Sequence, residues 1–243
     1  GYDSSAGTLP GVMTGTQNIR LTATATLASG GATVNSFNLV NTAASTNIAL
    51  NFATGTDKLI LNSGGLIAQS VNGTASGTVT IGATAGSGII TSGFNLGTVS
   101  GGVSNVTNLN DLYLFYQNST AATVLTLNSI IADNGANSVR LIVNGNVYGN
   151  TGGVTLLGTN TYTGGTVVNG TTLTIGATGT LSAPSAAITN AGFTGLTLNN
   201  ALVTQVAGGV IASQSVAING GSTLTFVGTN TFTSALSFNN FGG

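Results

Sequence analysis

The sequence predicts an all-β chain folded as a parallel β-helix (β-solenoid), a single domain over residues 1–243 with about ten coils of ~24 residues each. Three observations predict it. Thr (41), Gly (38), Asn (28) and Ser (22) make up about half of the 243 residues, and these are turn and strand formers. Val, Ile and Leu arrive in short pulses that often alternate with polar residues, as in Leu125-Thr126-Leu127 and Leu173-Thr174-Ile175, the period of a strand with one buried face. Short motifs recur at spacings that share one unit near 24.

The pulses place strands over 19–27, 34–40, 48–52, 59–62, 78–81, 112–116, 124–127, 139–143, 154–157, 172–175, 196–198, 216–218 and 223–227. Two Pro, no Trp and no sustained Leu/Ala/Glu/Lys run leave little room for helices. A hydrophobic content of 41% and a mean hydropathy of +0.41 with a net charge of −1 are the reverse of a disordered composition.

The recurrence is specific. Val-Asn-Gly stands at 71–73, 143–145 and 168–170, and Ile-Asn-Gly at 218–220. TVTIGAT at 78–84 returns as TLTIGAT at 172–178, a shift of 94 that a unit near 24 counts as four coils. GTNTYT at 158–163 returns as GTNTFT at 228–233, a shift of 70 or three coils. Asn-Gly fits the corners, where the chain turns through positive φ, and Asn side chains stacked there can bond to one another as a ladder. With neighbouring strands ~4.8 Å apart, ten coils make a rod of roughly 50 Å. A β-sandwich shares the short strands but does not require the recurrence.

The segment GTNTYTGGTVVNGTTLTIG, 158–176, resembles the autotransporter-associated β-strand repeat, with Gly158, Asn160, Thr161, Tyr162, Thr163, Gly164, Gly165 and Thr166 on the motif. A weaker copy starts at Gly228 with Asn230, Thr231, Phe232 and Thr233, but has Ser234-Ala235 in place of Gly-Gly. The resemblance covers about a fifth of the chain. It implies a right-handed β-helix from the passenger region of a bacterial surface protein, extracellular or at the cell surface, with an adhesive or structural role. The translocator barrel of such proteins is not in this sequence. The ending at Phe241-Gly242-Gly243, after a repeat-like stretch, suggests a piece of a longer chain.

Charge bounds the chemistry. Four Asp, one Lys, two Arg, no Glu, no His and no Cys are all the ionisable side chains apart from five Tyr. General acid–base catalysis, thiolate or imidazole metal ligation and phosphate capture draw on the missing types. The expectation is therefore no catalytic, cofactor or metal site. Three cations cannot form a nucleic-acid-binding face, and no run approaches the ~18 apolar residues of a membrane helix.

Asp111 and Asp133 lie 22 apart, near one coil, and could stack as the carboxylates of a polysaccharide-cleaving β-helix; the plainer reading puts both at turns. Asp57-Lys58 reads as an exposed pair or a turn, and Arg20 and Arg140 as outward residues that discourage mispairing. Asp3-Ser4-Ser5 lacks the Gly of a protease loop. GATAGSG at 82–88 lacks the Lys-Ser/Thr of a phosphate loop and reads as a corner. The sequons at Asn72, Asn105, Asn118 and Asn169 follow from the Asn and Thr content.

The stretch Leu112, Tyr113, Leu114, Phe115, Tyr116 is apolar or aromatic on both faces of its strand, so one face enters the core and the other is a candidate contact with a second subunit or a partner. A nearly uncharged chain has little to keep copies apart. The expected partner is thus the chain itself, end to end or side by side, in a fibre or adhesin stalk. A host or matrix surface, or a glycan, is the other partner considered. A carbohydrate-binding or carbohydrate-cleaving β-helix and a monomeric spacer are the competing functions.

Overall fold

The computed structural model describes residues 2, 4–6, 8–42, 46–70, 77–94, 99–100, 105–106, 109–118, 124–146, 152–181, 195–213, 215–228, 230–232 and 236–239. These residues are strands and turns, with no helix among them long and apolar enough to cross a membrane. The strands run parallel and stack in the manner of a β-solenoid, with the antiparallel pair Val99–Ser100 and Asn105–Val106 as the exception among named strands.

Three ladders share one core. The first passes in order through Ser4–Ala6, Asn18–Leu21, Ala32–Asn41, Lys58–Ser70, Leu109–Asn118, Ser138–Asn146, Thr166–Asn169, Leu196–Asn199, Val216–Asn219 and Leu236–Asn239. The second passes through Ala25–Leu27, Ile48–Phe52, Val79–Ile81, Val124–Leu127, Gly153–Leu156, Thr172–Ile175, Leu202–Gln205 and Thr223–Thr225. The third begins where Ala32 meets Leu59, Lys58 meets Ile89 and Ile89 meets Ile130. It continues where Thr161 N donates to Ile131 O at 2.9 Å, then through Thr180–Leu181, Val210–Ser213 and Thr231–Phe232. Strands Ala32–Asn41 and Lys58–Ser70 belong to two ladders because each bends between them, with a register shift between Val34 and Ser36.

Side chains line up in columns because parallel strands stack in register. Ile19, Phe37, Leu66, Leu114, Val143, Val168, Leu198, Ile218 and Phe238 form one inward column of the first ladder. Leu50, Ile81, Leu127, Leu156 and Ile175 form one in the second. Most of these residues are fully buried. Each such burial contributes about 1.5–3 kcal/mol. The first column runs out at its end, where Phe238 is 69% exposed.

The structure revises the expected repeat. Successive positions along the first ladder lie 25, 30, 20 and 20 residues apart from Asn144 to Asn239, and 48 apart from Gly65 to Tyr113. The long step holds the extra strand Ile89–Ser92 and the antiparallel pair that follows it. The shift of 94 from TVTIGAT to TLTIGAT is therefore three coils and not four, since Thr80 stacks on Thr126, Thr126 on Thr155 and Thr155 on Thr174. The expected strand 19–27 divides into Asn18–Leu21 and Ala25–Leu27, which lie in different ladders; its apolar pulses face one core from two sides.

Candidate functional site

The outward side of the strand Leu109–Asn118 brings an ion pair and aromatic rings together. Period two sends Leu112, Leu114 and Tyr116 into the core and turns Tyr113 and Phe115 outward, with Phe115 38% exposed. Tyr113 lies beside Phe94, their ring centroids 6.3 Å apart and tilted by 59°. Its hydroxyl donates to Asp111 Oδ2 at 2.9 Å. Burial, then the bond to Asp111, raises the Tyr113 pKa above the ordinary tyrosine value.

Asp111 is not at a turn. It sits within the strand, 1% exposed, and its register partner is Arg140. Arg140 Nε and Nη2 donate to Asp111 Oδ1 and Oδ2, both at 2.8 Å, a two-pronged ion pair across adjacent strands. Asp111 therefore stacks on Arg140 and not on Asp133. Arg140 faces outward as expected, but as a partner of this carboxylate.

The main chain at Asp111 is in turn tied to Ser92. Ser92 Oγ donates to Asp111 O at 2.6 Å and accepts from Phe94 N at 3.0 Å. The Ser92 carbonyl accepts from Asn110 Nδ2 at 2.6 Å and from Asn134 Nδ2 at 3.1 Å.

The remaining described carboxylates hold backbone. Asp133 accepts from Val139 N (2.7 Å), Thr163 N (2.9 Å) and Thr163 Oγ1 (2.7 Å), tying its turn to the next coil. Asp57, 5% exposed, is bonded not to Lys58 but to Gly30 N (2.8 Å) and Thr54 N (2.6 Å). The Gly30 N–H, more than any other group, holds the Asp57 pKa below its ordinary value. Among the described residues no group of three or more His, Cys, Asp or Glu could hold a metal ion.

The motif residues 158–165 form a joint between coils. Asn160 Oδ1 accepts from Ile131 N at 2.8 Å in the preceding coil, and its Nδ2 donates to Thr180 O at 2.7 Å in the following one. Tyr162 is wholly buried, its hydroxyl 2.6 Å from Thr166 Oγ1, and burial raises its pKa well above the ordinary 10.0. Gly158 and Gly164 lie against backbone: a Cβ on Gly164 would come within 2.6 Å of Val139 and Arg140 main-chain atoms, and one on Gly158 would strike Ser129 O. Gly165 has φ +85°. Thr161 contributes its main-chain bond to Ile131, its side chain being exposed. In the weaker copy, Asn230 Oδ1 accepts from Ile211 N at 3.3 Å, and the Asn230 carboxamide exchanges two bonds with buried Gln205.

Two outward columns complete the surface. Asn144, Asn169, Asn199, Asn219 and Asn239 form a ladder in which each Nδ2 donates to the preceding Oδ1, at 2.9, 2.7, 2.8 and 3.0 Å. Corner residues follow three of them with positive φ: Gly170 (58°), Asn200 (48°) and Gly220 (61°). On the second ladder Thr80, Thr126, Thr155, Thr174, Thr204 and Thr225 stand in register, facing outward. The Asn column was legible from the Asn-Gly repeats; the Thr column was not, because its spacing varies with coil length.

No protein-family model, curated protein or solved structure matches this chain.

Proposed function

We propose that the chain is a non-enzymatic, structural β-solenoid of the autotransporter passenger type, right-handed, with about ten coils, working as a fibre or stalk at a bacterial surface. One observation carries this reading. The described carboxylates, Asp57, Asp111 and Asp133, are all engaged in holding backbone or Arg140, so they serve the frame and not a reacting substrate. The Asn ladder and the column from Ile19 to Phe238 support it, since both run along the stacking direction. Leu236 and Phe238 occupy core columns yet are 42% and 69% exposed, so a further coil, from a longer polypeptide or a second copy, has apolar surface to cover.

Negative-stain electron microscopy at low and high concentration, with analytical ultracentrifugation, tests this. Rods that lengthen by end-to-end association, and shorten in Phe238→Asp, are expected. Monomeric rods at every concentration would turn the reading to a spacer. A compact, non-rod-like particle would refute the solenoid.

A carbohydrate-binding reading has one observation in its favour, the outward Phe94, Tyr113 and Phe115 rings beside an ion pair. Glycan binding lost in Tyr113→Ala and Phe115→Ala would support it.

A further inference from the structure

The chain contains five Asn-Gly pairs, at 72, 134, 144, 169 and 219. Asn-Gly is the sequence most prone to spontaneous deamidation, because glycine leaves the following amide nitrogen unhindered. The nitrogen loses its proton and attacks the Asn Cγ. The Cγ–Nδ2 bond breaks, ammonia leaves and a succinimide remains. Water then opens the ring to aspartate or isoaspartate. The reaction needs a free amide N–H and a carboxamide able to rotate.

At Asn169 and Asn219 the ladder denies both, and at Asn144 it holds the carboxamide oxygen. Asn169 is bonded on each side, to Asn144 and Asn199, and Gly170 N donates to Asn199 O at 2.9 Å. Asn219 is bonded to Asn199 and Asn239, and Gly220 N donates to Asn239 O at 3.3 Å. Asn144 accepts from Asn169, and Gly145 lies within its strand in register with Tyr116.

Asn134-Gly135 is different. Asn134 and Asn137 close a two-residue turn through paired main-chain bonds, N134 to O137 at 3.0 Å and N137 to O134 at 3.2 Å. Gly135, at φ +66°, is exposed, with nothing near its missing Cβ. Its amide donates to no group among the described residues. One 3.1 Å bond, from Nδ2 to Ser92 O, restrains the carboxamide.

We propose that, of the Asn-Gly pairs among the described residues, Asn134-Gly135 is the spontaneous modification site, with water as co-reactant, and that coil-to-coil stacking protects the pairs at 144, 169 and 219; Asn72-Gly73 lies outside the described residues. Conversion removes a donor from the Ser92 carbonyl and places a negative charge next to Asp133. The isoaspartate product also adds a backbone atom to the Asn134–Asn137 turn. The consequence is a slow, irreversible loosening of the contact between Ser92 and the Asn134–Asn137 turn.

The test is ageing of the folded protein in mildly alkaline buffer, with site-resolved mass spectrometry and isoaspartyl methyltransferase labelling. Cleavage after Arg140 separates Asn134 from the ladder residues. Asn134 should convert at least about tenfold faster than Asn144, Asn169 and Asn219, the factor that ~1.4 kcal/mol of local opening free energy imposes. In urea the four sites should converge. Gly135→Ala should slow Asn134 in both states. A ladder residue converting as fast as Asn134 in the folded protein would overturn the proposal. So would an Asn134 that stays unconverted in the folded chain while it converts in urea.

Discussion

Arg140 and Asp111 meet across adjacent strands with both prongs of the guanidinium on both carboxylate oxygens, at 2.8 Å, and Asp111 retains only 2% of its side-chain exposure. Breaking such a pair from one side leaves a buried charge without compensation, which costs about 3–5 kcal/mol. Arg140→Met should therefore lower unfolding free energy by that amount in urea titrations. The double change Arg140→Met, Asp111→Asn should recover most of it, because it removes both charges. A loss in the double variant as large as in the single would show that shape, and not charge, decides the site.

Gly164 and Gly170 separate close packing from backbone strain. A Cβ at 164 meets the Val139 main chain at 2.6 Å, whereas one at 170 has open space and only a φ of 58° to contend with. Gly170→Ala should cost about 1 kcal/mol. Gly164→Ala should cost clearly more, because backbone in the preceding coil must move. Thermal unfolding of the two variants checks the order.

The Asn ladder predicts a gradient along the rod. Asn169 has two ladder bonds and Asn239, the exposed last rung, has one. At about 0.5–1.5 kcal/mol per bond, Asn169→Ala should cost about 1–3 kcal/mol and Asn239→Ala at most half of that. Equal costs, measured in denaturant, would mean that the ladder bonds contribute little beyond the backbone.

The fold was legible because its signal is local and repeated. Leu125-Thr126-Leu127 shows its buried face in three residues, and Val168-Asn169-Gly170 shows a strand end and a corner, whereas the like triplet Val143-Asn144-Gly145 stays within its strand. What the sequence hid was coil length. A constant unit near 24 misnumbers the coil at Thr174, because the insertion after Ser92 falls between its two copies of the motif. Strands such as Val210–Ser213 were missed because Val210 and Ile211 are both apolar, although one is exposed and the other buried, so the sequence shows no alternation there. Asp111 was misread for another reason: its partner lies 29 residues away, and only the register brings Arg140 beside it. At the aromatic stretch, the sequence showed that one face must be outward, and burial of Leu112, Leu114 and Tyr116 decides which.

The pH dependence of stability follows from three groups and has a definite sign. Asp57 has its pKa lowered in the folded state, so its contribution is present above the unfolded value of 3.8 and is lost as pH falls through the folded value. Tyr113 and Tyr162 have theirs raised by burial, so the unfolded chain ionises first, near 10.0, and stability falls as pH rises past that point. With no His and no Cys, the chain holds no side-chain type whose ordinary value lies between these limits. Unfolding free energy should be flat from about pH 5 to about 9 and decline on both sides. The alkaline decline should be smaller in Tyr162→Phe, which cannot ionise, although that variant starts lower by about 1 kcal/mol for the lost bond to Thr166. Urea titrations at pH 7 and pH 10.5 decide it: an equal loss in both proteins would show that Tyr162 is not the group responsible.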